Sequence, residues 1–339
     1  MKNYTVTITP TSSFMTPIES DTLFGHICWA MEYLGIFTGD KHITAFLELF
    51  NGPEPPLIIS NAFPEGYLPF PLLPPMPPNK KEELETIFIE KRQKQTGDFD
   101  RGAARLEYIQ CLKQFARHKY ISLETFERFR RGLNKYDLYL AMLNNEFPVY
   151  PHEPQIIDVN HNAVNRITGQ VIEGKFFSGS TVFYPEGIKL SIYLKTDFFS
   201  EEELKALFGF IAVNGFGGDK TTGHGRFDFQ LKAGIPFADM EDFNAYLLLS
   251  NTNPSILKKH RVYYAGRTKF GKVGGEYSMT EKVSPLKNPV IILEPGAIVK
   301  TNEAVEYFGE NFSGIHPQLP GIRHYGIGFP LKMRLADET

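Results

Sequence analysis

The stretch that most constrains this chain is "SEEELKALFGFIAVNGFGGDKTTGHGRFDFQLK", residues 200–232. Ser200 followed by Glu203 reads as a capping box that starts a helix. Leu204, Leu207, Phe208 and Ile211 then recur at helical spacing and form one apolar stripe. After the loop, Phe227, Phe229 and Leu231 alternate as in a half-buried strand. The connection itself, 215–227, packs five glycines among a lysine, two threonines, a histidine and an arginine. A loop of this composition suits an anion, because glycine reaches positive φ and bares N–H groups. It is not a mononucleotide P-loop: Asp219 stands where the motif needs glycine, and Asn214 stands at the upstream glycine position. P-loops and dinucleotide fingerprints also join a strand to a following helix, and this loop does the reverse. The simpler alternative is a helix-to-strand connection with glycine caps.

The surrounding elements set that unit in a larger pattern. "YTVTIT" puts Tyr4, Val6 and Ile8 on one face of a strand, closed by Pro10. A loop over 11–19 leads to a helix in which Ser20 is the expected N-cap, Leu23, Ile27, Ala30, Met31 and Leu34 form the apolar face, and Gly35 is the stop. Residues 53–78 are too rich in proline for a helix, but "LIIS" and "YLPF" suit short edge strands. Residues 79–150 read as a helical insertion, with 12 Lys/Arg against 5 Asp/Glu between Lys91 and Lys135. That excess suggests a basic face or a solvated helical surface. "VNRITGQVIEGKFF" suggests a hairpin turning at Thr168-Gly169. In "IKLSIYLK", Ile188, Leu190, Ile192 and Leu194 point inward, while Lys189, Ser191 and Tyr193 point outward.

The order is strand, helix, strands, hairpin, strand, helix, glycine loop, strand, which matches a ferredoxin-like βαββαβ unit with a large insertion. The remainder supplies "MEDFNAYLLLS", read as helical, and "RVYYAGR", "NPVIILEPGAIV" and "HYGIGFPLKM", read as strands. The expected class is α+β, with tandem ferredoxin-like (RRM-like) domains at 1–233 and 234–339. No strict repeat links the two halves.

Composition narrows the partners. Net charge is -3, so a polyanion must bind through a local patch. One such patch is "LKKHRVYYAGRTKFGKVGGEY". It carries Lys258, Lys259, Arg261, Arg267, Lys269 and Lys272 with no acid before Glu276, and Tyr263, Tyr264 and Phe270 lie among them. Cations track a phosphate chain and aromatic faces stack on unpaired bases, the combination single-stranded RNA requires. An amphipathic strand pair with exposed lysines is the alternative. Two cysteines, Cys28 and Cys111, no apolar run of about 20 residues and no apolar leader segment point to a cytoplasmic protein off the membrane. No His/Cys cluster or spaced carboxylate set suggests a metal, and no motif calls for a cofactor.

Several of these motifs together resemble a known family. The glycine loop resembles the signature loop of the RAMP superfamily of CRISPR proteins. "SDTLFGHICWA", "NRITG…EGKFF", "GEYSMTEK…NPVIILEPGAIV" and "GIHPQLPGIRHYGIGFPL" narrow the resemblance to the subunit-four family of the type III-A CRISPR (Csm) effector complex. The proline-rich stretch and the helical insertion carry no matching motif. The resemblance implies a subunit that holds the 5′ handle of CRISPR RNA and docks the large polymerase-like subunit and an adjacent RAMP backbone subunit. Target RNA would meet it indirectly, through a "thumb" hairpin near 158–178 that props the guide–target duplex. Carried onto this chain, Gly217, Gly218, Lys220, Thr221, Thr222, His224 and Arg226 contact the handle, and Asn165, Arg166 and Thr168 lie on the thumb. Relatives commonly carry aspartate where this chain has Asn165. The helix start at Ser20 and Thr22 would offer N–H groups to a phosphate, and Arg267 and Lys269 add charge.

The expected role is non-catalytic, in antiviral defence. The alternative is a metal-independent endoribonuclease that processes CRISPR RNA precursor, as some RAMP relatives do with a histidine as general acid–base. His26, His161 and His224 are the candidates. Backbone subunits cut target RNA with a loop aspartate, and the loop 11–19 has none. A pure protein–protein adaptor is the third possibility.

Overall fold

The first sheet grows from β1 (Lys2–Pro10), whose Tyr4, Val6 and Ile8 are buried as the alternation requires. α1 (Ser20–Leu34) follows, with its stripe in the core and Gly35 as a left-handed C-cap at φ 64°. Its N-cap is Glu19, not Ser20, and no side chain caps it: Ser20 is the first helical residue and is fully buried. Next come α2 (Ile43–Leu49), β2 (Leu57–Ile59), β3 (Phe63–Pro64) and β4 (Tyr67–Pro69), short strands with Pro56 before β2 and Pro64 and Pro69 ending β3 and β4. The computed structural model describes residues 1–95, 99–275 and 283–336.

The insertion is helical: α3 (Pro78–Gln95), α4 (Arg101–Phe115), β5 (Tyr120–Ser122), α5 (Leu123–Phe129) and α6 (Lys135–Leu143). Part of its cationic excess is neutralised within it. Arg92, Arg105, Arg128 and Arg130 pair with Glu107, Glu85, Glu146 and Glu127. β6 (Gln155–Val164) and β7 (Val171–Phe183) form a two-stranded arm longer than the expected 158–178. β8 (Leu190–Thr196), α7 (Glu201–Asn214) and β9 (Phe227–Ala233) complete the first unit. Its sheet runs β2-β8-β1-β9, all antiparallel, with β3 extending the pairing on β8. That is the ferredoxin-like strand order, with α1 and α7 packed together on one face.

The opposite face is covered as well. Ser191 and Tyr193, expected outward, are buried, because the C-terminal half packs on β8. The Tyr193 ring meets Phe237 edge-on at 4.7 Å and lies 6.4 Å from Phe329.

The C-terminal half contains β10 (Ala245–Leu248), β11 (Arg261–Tyr263), β12 (Gly266–Lys269), β13 (Val290–Leu293), β14 (Ile298–Lys300), β15 (Phe308–Gly309), β16 (Ile327–Gly328) and β17 (Pro330–Met333). "MEDFNAYLLLS" is therefore strand β10, not helix. β10 is central in the second sheet and buried along its whole length, so its unbroken apolar run carries no period-two signal. That sheet runs β11-β14-β10-β17, again the ferredoxin-like order. A 3-10 turn at Pro254–Lys258 stands where the first helix of the unit belongs, and no helix follows β14 among the described residues. One hydrophobic core contains residues of both sheets, from Val6 and Ile192 to Leu247, Tyr325 and Phe329. The insertion is stitched to the last strand: Leu133 N–H donates to the Arg334 carbonyl, and Arg334 N–H to that of Arg130.

Candidate nucleic-acid interface

α7 begins with the reciprocal capping box of Ser200 and Glu203 and ends at Gly215, φ 87°. From there the chain turns back on itself. Phe216 N–H donates to the Gly225 carbonyl at 2.8 Å, closing the loop at its neck. Gly225, φ 76°, has no room for a Cβ, which would overlap the Phe216 backbone. Positive φ occurs at Gly217 (84°), Gly223 (97°) and Gly225, as expected, but not at Gly218; Asp219 takes the left-handed position instead, φ 51°.

The loop amides are largely occupied, which corrects the expectation of a bare cradle. Gly217 N–H donates to His26 Nε2 at 2.9 Å and Gly218 N–H to Thr16 Oγ1 at 3.2 Å. Gly225 N–H donates to the Ser13 carbonyl and Arg226 N–H to Ser12 Oγ, each at 2.8 Å. His224 Nδ1 lies 2.8 Å from Ser13 Oγ, and the Thr222 hydroxyl donates to the Asp219 carbonyl. The glycines thus serve tight internal turns, and segment 11–19 holds the loop rigid. What the loop offers outward is side chains. Thr221, Thr222 and Arg226 are exposed and Lys220 is half-buried. Among the described residues Lys220 and Arg226 have no carboxylate partner. A pair of cations beside hydroxyls has the chemistry to bind phosphate through side chains.

His26 is a structural element of this loop. Its ring stacks on Phe216 at 4.5 Å, and its Nε2 accepts the Gly217 amide. Burial, with Lys220 nearby, pushes the imidazole down to about 4, so it is neutral at physiological pH. A neutral imidazole whose acceptor nitrogen is engaged is poorly placed as a general acid–base. His161 lies in β6, in register with Phe177.

The helix start does not present free amides. Ser20 N–H donates to Asn61 Oδ1 at 3.0 Å, its hydroxyl accepts from Asn251 N–H, and Thr22 N–H is turned to Asp21 Oδ1. Arg267 and Lys269 are not free cations either. Arg267 pairs with Glu19 and Glu294, and Lys269 reaches Glu19 at 2.7 Å and Asp21 at 2.6 Å. Asp21 is fully buried and also meets His324 Nε2 at 2.9 Å. Burial opposes ionisation of Asp21, but His324 and Lys269 outweigh it and hold the carboxyl well below the usual range. This part of the second cationic stretch is a joint between α1 and the C-terminal half.

On the hairpin, Asn165 Oδ1 accepts from Ile167 N–H at 2.9 Å and Thr168 Oγ1 from Gln170 N–H. Gly169, φ 68°, supplies the left-handed residue. Asn165 and Thr168 therefore shape the turn, and Arg166 is exposed beside Ile167, which is 94% exposed. Arm and glycine loop meet through segment 11–19: Phe14 bridges Val182, while Thr16 binds Gly218. The sequence places that segment, "TSSFMTPIE", as the loop before α1, but its role in holding the glycine loop was not read from it. Its run of hydroxyls was the available signal. "GEYSMTEK" lies mostly outside the described residues.

A two-unit antiparallel α+β fold with a helix–glycine loop–strand element is the architecture of the RAMP class. The model of the RAMP superfamily matches residues 10–228, and the chain belongs to that superfamily. No curated protein matches it in sequence. In solved structures it is similar to a chain of a Csm1–Csm4 cassette in complex with cA4, at TM-score 0.57 and 17% identity over 99% of this chain and 100% of that one. A Csm1–Csm4 cassette in complex with pppApA gives 0.55 and 18%, over 100% of each chain. At such identity the likeness is one of fold.

Proposed function

We propose that this chain is a non-catalytic RNA-binding subunit of a type III-A CRISPR (Csm) effector complex. It holds the 5′ handle of CRISPR RNA and joins the large subunit to an adjacent RAMP backbone subunit. The observation that carries the reading is the glycine loop. It is held rigid from behind by His26, Ser12, Ser13 and Thr16, and it presents Lys220 and Arg226 without carboxylate partners. Superfamily membership and the fold shared with chains of Csm1–Csm4 cassettes support the setting. In this role the chain works in the cytoplasm, and Lys220, Thr221 and Arg226 contact backbone phosphates. Gly217 and Gly218 act by shaping the loop, and Arg166 acts from the arm.

The test is RNA affinity as a function of salt. Each phosphate contact removed lowers the salt slope by about 1. Lys220→Ala with Arg226→Ala is expected to weaken handle binding and lower the slope by about 2. An unchanged slope and affinity would overturn the proposal. For the catalytic alternative, labelled repeat RNA incubated with the protein in EDTA should stay intact. Cleavage that His224→Ala abolishes would replace the non-catalytic reading.

A further inference from the structure

His224 stands between Gly223 and Gly225, both at positive φ. Its ring is turned onto segment 11–19, where Nδ1 lies 2.8 Å from Ser13 Oγ. Backbone contacts on either side hold the two residues in register. Gly225 N–H donates to the Ser13 carbonyl, and Arg226 N–H donates to Ser12 Oγ. A Cβ on Gly215 would overlap both the His224 carbonyl and the Lys220 side chain, so His224 and Lys220 converge at the neck of the loop. Two features of the Ser13–His224 pair stand out. The Ser13 hydroxyl has no other hydrogen-bond partner among the described residues. The second ring nitrogen, Nε2, has none either, and it is not a buried atom. One nitrogen is therefore held from behind and the other reaches solvent, on the loop that carries the unpaired cations.

We infer that Ser13 is a positioning residue, whose hydroxyl orients the His224 ring and sets it as an Nε2–H donor to a phosphate oxygen of the RNA. A serine hydroxyl carries one proton, and Nδ1 is the acceptor in reach. The bond made by one imidazole nitrogen decides which nitrogen is protonated. With Ser13 O–H donating to Nδ1, the neutral ring carries its proton on Nε2 and points that N–H outward. The opposite tautomer would present a bare lone pair there, which repels a phosphate oxygen. Ser13 thus decides whether the ring attracts or repels the strand that Lys220 and Arg226 engage. The inference rests on the RNA-binding reading above and deepens it. It adds a neutral, directional donor to two charges, and it gives segment 11–19 a part in the chemistry of the site besides its part in holding the loop.

The test uses the full chain at about pH 8, above the ordinary histidine range, and a short single-stranded RNA. Ring nitrogens are read by NMR on histidine labelled with nitrogen-15, the His224 signals being those lost in His224→Ala. In the unmodified chain Nε2 should carry the proton. Ser13→Ala should move both ring signals toward the averaged values of a free histidine, and Ser13→Thr should restore them. His224→Ala is expected to weaken RNA binding about tenfold, the scale of one hydrogen bond to a charged group. Ser13→Ala should weaken it less, and should have no further effect in the His224→Ala background. Neither change should alter the salt slope, because a neutral donor releases no counterion. Alanine keeps the Ser13 carbonyl that holds Gly225, and equal urea midpoints would show the loop intact. A proton on Nδ1, ring signals indifferent to Ser13→Ala, or additive losses of affinity would overturn the inference. If Lys220→Ala with Arg226→Ala still lowers the slope, the phosphate reading survives that result. Absence of RNA binding by the unmodified chain would overturn both.

Discussion

Gly223 and Gly225 are two residues apart, both at positive φ, and differ in what surrounds them. A Cβ on Gly225 would overlap the Phe216 backbone, whereas one on Gly223 would meet open space. Gly223→Ala should cost only the left-handed backbone penalty, roughly 1–2 kcal/mol. Gly225→Ala should cost clearly more, because the neck of the loop must open, and urea midpoints of the two variants will separate them. His26 gives the loop a pH dependence. Its folded imidazole resists protonation, so in acid the unfolded chain takes up the proton first. Stability is therefore full above the ordinary value of 6.5 and is lost as pH falls toward about 4. His26→Gln should flatten that part of a stability–pH profile measured by thermal melting. The sequence shows that these glycines and this histidine are special. It does not show that Gly225 meets Phe216 and Ser13 or that His26 accepts from the Gly217 amide, because the contacts to Ser13 and His26 join distant parts of the chain, 191 residues apart in the case of His26.

Among the elements, the capping box, the α1 and α7 stripes, the short proline-bounded strands and the hairpin were all legible, because each signal is local. β10 was misread and β8 half-read for one common reason. Both are central strands covered on two faces: in β10 that leaves an unbroken apolar run without the alternation that marks a strand, and in β8 it buries Ser191 and Tyr193 on the face the alternation marks as outward. The arm of β6 and β7 is the opposite case. It forms its own two-stranded sheet and meets the rest near its base, at Phe14 and Met15. Replacing 158–179 with a short turn should leave a single cooperative unfolding transition with a midpoint within a few degrees of the parent's, read by calorimetry. A large loss of stability would mean that the arm is part of the core. Exposed Ile156, Val164, Val171 and Phe176 suit a surface that is covered in an assembly.

At the scale of the whole molecule, Asp21 joins the two halves. Its carboxylate is fully buried between Lys269, His324 and Asn251. Asp21→Ala leaves buried His324 without its carboxylate partner and Lys269 with Glu19 alone, and should cost about 3–5 kcal/mol, measured by chemical denaturation. Because the folded carboxyl is held below its unfolded value of 3.8, its contribution is present above that pH and is lost as pH falls through it. The amino-acid sequence by itself determined the local elements, the ferredoxin-like order of the first half, and a loop rich in glycine and cations, since each depends on neighbours along the chain. Only the tertiary structure decided which cations remain unpaired. Arg267 and Lys269 looked as available as Lys220 and Arg226 until folding placed Glu19, Asp21 and Glu294 beside the first pair. Charge availability depends on distances across the fold, and the order of residues does not contain those distances.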